Sequence, residues 1–264
     1  MQLHHKTILI TGATSGIGEA LALQLVANNN TLILCARREN ELQRVAQLCV
    51  AKGSKAATYV MDLSNVQNVT SVAKQVLQHH PAIDVVIHNG GISQRAEGVT
   101  TPLDVAQQIM NTNYWGAVAL TQALLPSMIN RKQGHIIVLS SIAGKFGFYL
   151  RSSYSASKFA LHGYFESLRL ELIQHNIGIT MVCPGKIKTN ISYNAVTATG
   201  ANHNQLDPSH ANAITADECA IKIIKAVHAN KREVFIGGKE LIAVYINRLF
   251  PTLFFHFIKK IKSV

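Results

Sequence analysis

Between Thr7 and Val26 the chain passes from an apolar run through a glycine-rich turn into a helical pattern. No other stretch narrows the choice of folds so far. Thr7-Ile8-Leu9-Ile10 is short, apolar and β-branched, as expected of a parallel strand buried on both faces. Thr11-Gly12-Ala13-Thr14-Ser15-Gly16-Ile17-Gly18 follows at once, and Glu19 to Val26 then carries helical periodicity. This order is what a phosphate loop requires. Glycines allow a tight turn and close backbone approach, while the helix N-terminus offers N–H donors and the positive end of a dipole. The spacing is G-x-x-x-G-x-G, and Gly12, Thr14, Ser15, Gly16, Ile17 and Gly18 become candidate dinucleotide contacts.

Strand and helix patterns keep alternating. Thr31 to Ala36 reads as the second strand and runs into Arg37-Arg38. A site selective for NAD wants a carboxylate near this strand end to accept from the ribose 2′-OH. Here Ala36 brings none, and two guanidiniums stand ready for a 2′-phosphate. NADP(H) is the expected cofactor, against the plainer reading that both arginines start a solvated helix at Glu39. Ala56 to Met61 is the third strand, closed by Asp62-Leu63, with Ser64 as the expected cap of the next helix. Asp62 either accepts from an adenine amino group or is a turn residue. Asp84 to Ile87 is the fourth strand and ends in His88-Asn89-Gly90-Gly91, where small residues admit a ligand close to the backbone. Such alternation predicts an α/β, doubly wound Rossmann fold: a seven-stranded parallel sheet flanked by helices on both faces, with its site beyond the carboxyl ends of the strands.

Composition restricts the function. Of 264 residues 48% are hydrophobic and 15% charged, enough apolar material for one large domain. The net charge of +11 suits phosphorylated ligands or anionic surfaces. The basic residues are scattered without interleaved aromatics, so nucleic acid is not an expected partner. Four cysteines stand far apart and no H-E-x-x-H occurs among twelve histidines, so no metal site is expected. Met1-Gln2-Leu3-His4-His5-Lys6 runs into the first strand without a signal pattern, and a cytoplasmic location is expected.

The second half supplies reactive groups. Thr101-Pro102-Leu103-Asp104 has the form of a capped helix start, and the long helix after it contains Asn113, a poor mid-helix residue that must bond something. Gly134 to Leu139 is a fifth strand ending in Ser140-Ser141. In Ser153-Tyr154-Ser155-Ala156-Ser157-Lys158, helical spacing puts the Tyr154 phenol and the Lys158 ammonium on one face. A cation beside a phenol draws its pKa down towards the working range of a proton donor.

Taken together, the glycine loop, Asp62-Leu63, Asn89-Gly90-Gly91, Asn113, Ser141, Tyr154-x-x-x-Lys158 and Pro184-Gly185 resemble the short-chain dehydrogenase/reductase family, in order and spacing, from Lys6 to about Gly237. Within it, Asn89 to Arg95 and Thr189-Asn190-Ile191-Ser192 look most like the member 7/7B branch. The resemblance implies four catalytic residues. Tyr154 would be the general acid or base, Lys158 would tune it and bind the nicotinamide ribose, Ser141 would hold the substrate oxygen, and Asn113 would position a relay water. It further implies cofactor contacts from Leu63, Asn89, Pro184, Gly185, Ile187 and Thr189, and a homodimer or homotetramer paired through the helices around Asn113 and after Tyr154. His88 replaces the first Asn of the family's Asn-Asn-Ala-Gly, and Tyr149 lies where many relatives carry proline.

Residues 1–238 are thus expected to form one catalytic domain, with a mobile substrate lid at 186–214. Thr215-Ala216-Asp217-Glu218 is a capping box and Glu233 to Ile236 the last strand. A hydrophobic and basic tail, 239–264, follows. Leu241 to Phe257 is rich in Leu, Ile and Phe, and Lys259-Lys260-Ile261-Lys262 closes it. It suits peripheral contact with a membrane, or a helix packed over the pocket or in a subunit interface. The expected activity is NADP(H)-dependent interconversion of a carbonyl and a secondary alcohol on a hydrophobic molecule: a lipid, a steroid- or retinoid-like compound, or a 3-oxoacyl compound. The alternative is a non-catalytic NADP(H)-binding redox sensor.

Overall fold

The computed structural model describes residues 1–205 and 213–259. The chain alternates strands and helices: β1 (Thr7–Thr11), α1 (Gly16–Leu25), β2 (Thr31–Ala36), α2 (Glu39–Ala51), β3 (Lys55–Val60), α3 (Val66–His79) and β4 (Val85–His88). Then come α4 (Leu103–Met110), a π-helical turn (Asn111–Trp115), α5 (Gly116–Arg131), β5 (Gly134–Leu139), α6 (Ser152–Glu171) and β6 (Ile177–Pro184). The two-residue strands β7 (Ile187–Lys188) and β8 (Ile214–Thr215) pair with each other. The chain ends with α7 (Ala216–His228), β9 (Glu233–Ile236), α8 (Ile242–Leu249) and α9 (Pro251–Ile258).

Seven strands form one sheet in the order β3-β2-β1-β4-β5-β6-β9, and every pairing is parallel. Alternation along the central strands feeds two cores. Ile8, Ile10, Leu32 and Leu34 point to one face, where Leu21, Leu42 and Ile223 of α1, α2 and α7 cover them. Leu9, Ile33 and Cys35 point to the other, under Val69, Leu120 and Phe165 of α3, α5 and α6. A strand covered on both sides must be apolar throughout, as β1 and β2 are. The strand order reverses between β1 and β4, and there the glycine loop opens a crevice beyond the carboxyl ends.

All four cysteines are buried thiols. Burial pushes Cys49 up to about 11 and Cys35 and Cys219 up to about 12, and raises Cys183 as well.

Three local expectations are corrected. The cap of α3 is Asn65, whose Oδ1 accepts from Asn68 N at 3.0 Å, while Ser64 Oγ donates to Asp62 at 2.8 Å. Thr101 does not cap α4; its hydroxyl donates to Glu97 O at 2.7 Å and accepts from Gln94 Nε2 at 3.0 Å. The stretch expected to be an unpacked lid is pinned at its centre. Val196 bridges Gln94 and packs against Val105 and Ile109, and Ser192 and Ala195 are buried. Part of that stretch, 206–212, lies outside the described residues, as do Lys260, Ile261 and Lys262 of the tail. The Thr215 capping box is formed in full.

Candidate active site

The phosphate loop takes its shape from backbone that tolerates no side chain. Gly12 and Gly16 have φ of +64° and +57°, in the left-handed region that favours glycine. A Cβ on Gly12 would lie 2.7 Å from Gly90 Cα, and one on Gly18 would lie 2.3 Å from Gly12 O. Asn89 clamps the loop to the end of β4: its Nδ2 donates to the carbonyls of Thr11 and Gly12 at 3.0 Å each. Both N–H donors of its side chain are therefore spent on the loop.

Along the crevice runs a groove of about 490 Å³, within the size range of small-molecule sites. Loop residues Gly12, Thr14, Ser15, Gly16 and Ile17 line it, together with Arg37, Arg38, Asp62, Leu63, Asn89 and Thr189. No side chain caps the first turn of α1, so its N–H donors suit a pyrophosphate. Arg38 Nη2 donates to Thr14 Oγ1 at 3.3 Å, which brings one guanidinium from the end of β2 to the loop. These residues fit a dinucleotide.

The second cleft adjoins the first. Ser141, Tyr154, Lys158, Pro184, Gly185, Ile187 and Thr189 line it with Arg95 and Arg151. Ser141 follows β5 and opens a short helical turn; its Oγ accepts from Ala143 N at 3.1 Å and donates to Pro184 O at 3.4 Å. Tyr154 and Lys158 are both buried on α6, with Lys158 Nζ 5.7 Å from the centre of the Tyr154 ring. Nζ also donates to Leu139 O at 2.9 Å.

The electrostatics differ from the sequence expectation. Burial raises the Tyr154 pKa, against downward pulls from a hydrogen bond to Ser141 and from the charges of Arg151 and Arg95. Desolvation of the phenolate outweighs those nearby charges. Burial also pushes Lys158 down to about 8, so its proton is exchangeable near neutrality.

Asn113 sits in the π-helical turn and uses its side chain fully. Oδ1 accepts from Ile92 N at 2.8 Å, and Nδ2 donates to Ile92 O and Ser157 Oγ at 2.9 Å each. Ser157 Oγ in turn donates to Tyr154 O at 2.7 Å. Asn113 thereby ties the segment after β4 to the helix carrying both reactive groups.

The sequence did not reveal three residues at this site. Gln94 is fully buried, and its Oε1 accepts from Ser153 N at 2.8 Å and Tyr154 N at 3.2 Å. It caps α6 from a distant loop, where α6 has no side-chain cap of its own. A glutamine distant in sequence from the helix it caps gives no local signal. Arg95 and Arg151 give no local signal either.

His88 is neutral: burial pushes it down to about 3. Thr121 Oγ1 donates to Ala117 O, so His88 Nε2 is the donor in its 2.8 Å bond to that hydroxyl. His88 thus braces β4 to α5, away from the chemistry. Among the described residues, His162, Cys183 and Glu233 bring ligand-type atoms within 4.8 Å of one another. Lys145 Nζ lies 2.6 Å from Glu233 and already supplies a cation there.

A phosphate loop, a dinucleotide-sized groove and a buried tyrosine–lysine pair beside a serine define a nicotinamide-dependent oxidoreductase. The chain belongs to the short-chain dehydrogenase/reductase family, whose model, described as short chain dehydrogenase, matches residues 6–199. It is 41% identical over 262 residues to dehydrogenase/reductase SDR family member 7B of Xenopus tropicalis, covering 97% of this chain and 85% of that one. It is 38% identical to the SDR family protein 7-like of Drosophila melanogaster, covering 98% and 81%. These likenesses fall in the 7/7B branch. A metagenomic short-chain oxidoreductase solved in complex with NADP superposes with a TM-score of 0.74 at 28% identity, over 88% of this chain and 97% of that one. A short chain dehydrogenase/reductase from Burkholderia phymatum, solved with NAD, shares the fold with a TM-score of 0.85 at 21% identity, over 96% of each chain.

Proposed function

We propose that the protein uses NADP(H) to interconvert a carbonyl and a secondary alcohol on a hydrophobic small molecule. The observation that carries this reading is the convergence of Ser141 and Tyr154 on one cleft, with Lys158 behind them and the dinucleotide groove alongside. The cofactor, when bound, supplies or accepts the hydride. In reduction Tyr154 gives its proton to the carbonyl oxygen; its raised pKa keeps it in the acid form at neutral pH. The Ser141 hydroxyl turns from its long bond to Pro184 O, donates to the same oxygen and stabilises the charge that develops on it. The Lys158 ammonium stabilises the phenolate left behind and replaces its proton. Asn113 holds Ile92 and Ser157 in the frame around that exchange, next to the relay water that the family resemblance assigns to it.

Preference for NADP(H) is supported by Arg37 and Arg38 and by the absence of an acid at Ala36. A hydrophobic substrate is supported by Leu139 and Ile191 in the cleft lining, beyond the residues assigned to the cofactor. It would be a lipid ketone, a steroid- or retinoid-like compound, or a 3-oxoacyl compound. A homodimer or homotetramer is supported by exposed Trp115 and Phe159 beside α5 and on α6. The proposed location is cytoplasmic, at a membrane surface.

A panel of ketones and alcohols with NADPH, NADP⁺, NADH and NAD⁺ tests the reading. NADPH should be preferred, and Tyr154→Phe should lower kcat by about 10²–10⁴, the usual worth of a positioned acid. Turnover that survives Tyr154→Phe would exclude this residue as the proton donor. Equal use of NADH would overturn the role given to the arginines.

A further inference from the structure

Helices α8 and α9 fold back over the turn that follows Ser141. Val244 and Phe254 are buried against Ile142 and Phe146, with Phe148, Phe235 and Ile258 around them. The Phe254 and Phe146 rings meet edge-on with centroids 4.8 Å apart. Asn247 Nδ2 donates to Lys145 O at 3.1 Å. Glu240 Oε1 accepts from Lys186 N at 2.8 Å and Gly238 N at 3.0 Å, beside the Gly185 rim of the substrate cleft.

With its inner side packed, the tail still presents an apolar outer side. Ile242, Tyr245 and Leu249 recur along one face of α8 and are 58%, 57% and 68% exposed. Phe250, Leu253 and Phe257 recur along one side of α9 at 59%, 49% and 54%, and Phe255 is 68% exposed on the other flank of buried Phe254. Aromatic side chains carry roughly 150–250 Å² each, so seven large apolar residues about half exposed leave several hundred Å². The largest patch on an ordinary monomer is about 300–600 Å², and patches of this kind mark interaction sites.

Charge selects the occupant. Among the described residues from Leu241 to Lys259, Arg248 and Lys259 are exposed cations and there is no acid. The acid just before them, Glu240, is held by backbone amides. In a two-fold contact with a second copy the patch would meet itself, setting like charges together. An anionic lipid surface complements both the apolar side chains and the cations. No helix among the described residues is long and apolar enough to cross a membrane.

We propose that the outer face of α8 and α9 docks on the surface of an anionic bilayer, with its aromatic and aliphatic side chains at the headgroup boundary and the rim of the substrate cleft beside the lipid. This assignment stands apart from the identity of the molecule that is reduced. The test is flotation of the full chain with phosphatidylcholine vesicles and with vesicles of phosphatidylcholine and phosphatidylserine. The protein should float with the anionic vesicles, about tenfold less with the neutral ones, and less again in high salt. The variant Leu249→Glu, Phe255→Glu, Phe257→Glu changes exposed positions only; it should keep its circular dichroism and melting temperature and lose flotation about tenfold or more. A wild-type chain that floats with neither vesicle, or a variant that floats as well as wild type, overturns the proposal. So does a variant that turns a dimer into a monomer in light scattering while flotation is unchanged, since the occupant is then a second copy.

Discussion

Lys158 ties burial to pH dependence. Its ammonium is needed in reduction, and desolvation brings its pKa to about 8. kcat/KM for carbonyl reduction should therefore fall as pH rises through about 8, and Lys158→Arg should move that fall to higher pH, because a guanidinium stays charged. Stability should run the other way. Above about 8 the folded chain gives up a proton that an unfolded lysine keeps until about 10.4, so Lys158 makes folding more favourable as pH rises through that window. Melting temperatures of wild type and Lys158→Met, compared from pH 7 to 10, separate this contribution from the other titrating groups. A difference that stays constant with pH would contradict it.

The elements position these groups, and α6 shows how. Its first turn holds Tyr154, and the amides there are satisfied by Gln94 from the loop after β4. Gln94→Leu would leave buried N–H groups unpaired, at a cost of about 1–3 kcal/mol. We expect kcat to drop by roughly tenfold with KM little changed, if about 1.4 kcal/mol of that cost falls on the transition state. Gln94→Glu, which keeps the accepting oxygen but loses the donor to Thr101, should restore part of the rate. A change confined to melting temperature would make Gln94 structural only. The strands were legible because a doubly covered strand must be apolar, a local property, and β1, β2, β5 and β9 stand where their patterns put them. Caps were less legible. Ser64 and Thr101 carry suitable hydroxyls, yet the turn before each helix claims them first, through Asp62 for Ser64 and through Gln94 and Glu97 for Thr101. Helical spacing paired Tyr154 with Lys158, and the family resemblance added Ser141 and Asn113, whereas Gln94, Arg95 and Arg151 join the cleft only through the fold. The direction of the Tyr154 shift was also out of reach, since it depends on how deeply the ring is buried.

At the scale of the molecule, a sheet with two covered faces turns an open chain into a crevice beyond its carboxyl ends, and the tail packs on the turn after Ser141. The four buried thiols have a consequence of their own. They sit on β2, α2, β6 and α7, spread across both halves of the sheet, and their raised pKa values keep them unreactive while the fold is closed. Each is therefore a clock for the opening of its own neighbourhood. In a brief pulse of alkylating reagent at neutral pH, modification should be slow at all four in the native chain. With denaturant below the midpoint, Cys49, near the end of the outer helix α2, should be modified before Cys35 on β2, a strand paired on both sides, and mass spectrometry of the peptides gives the order directly. Equal rates at both would mean that the sheet and its covering helix open as one unit.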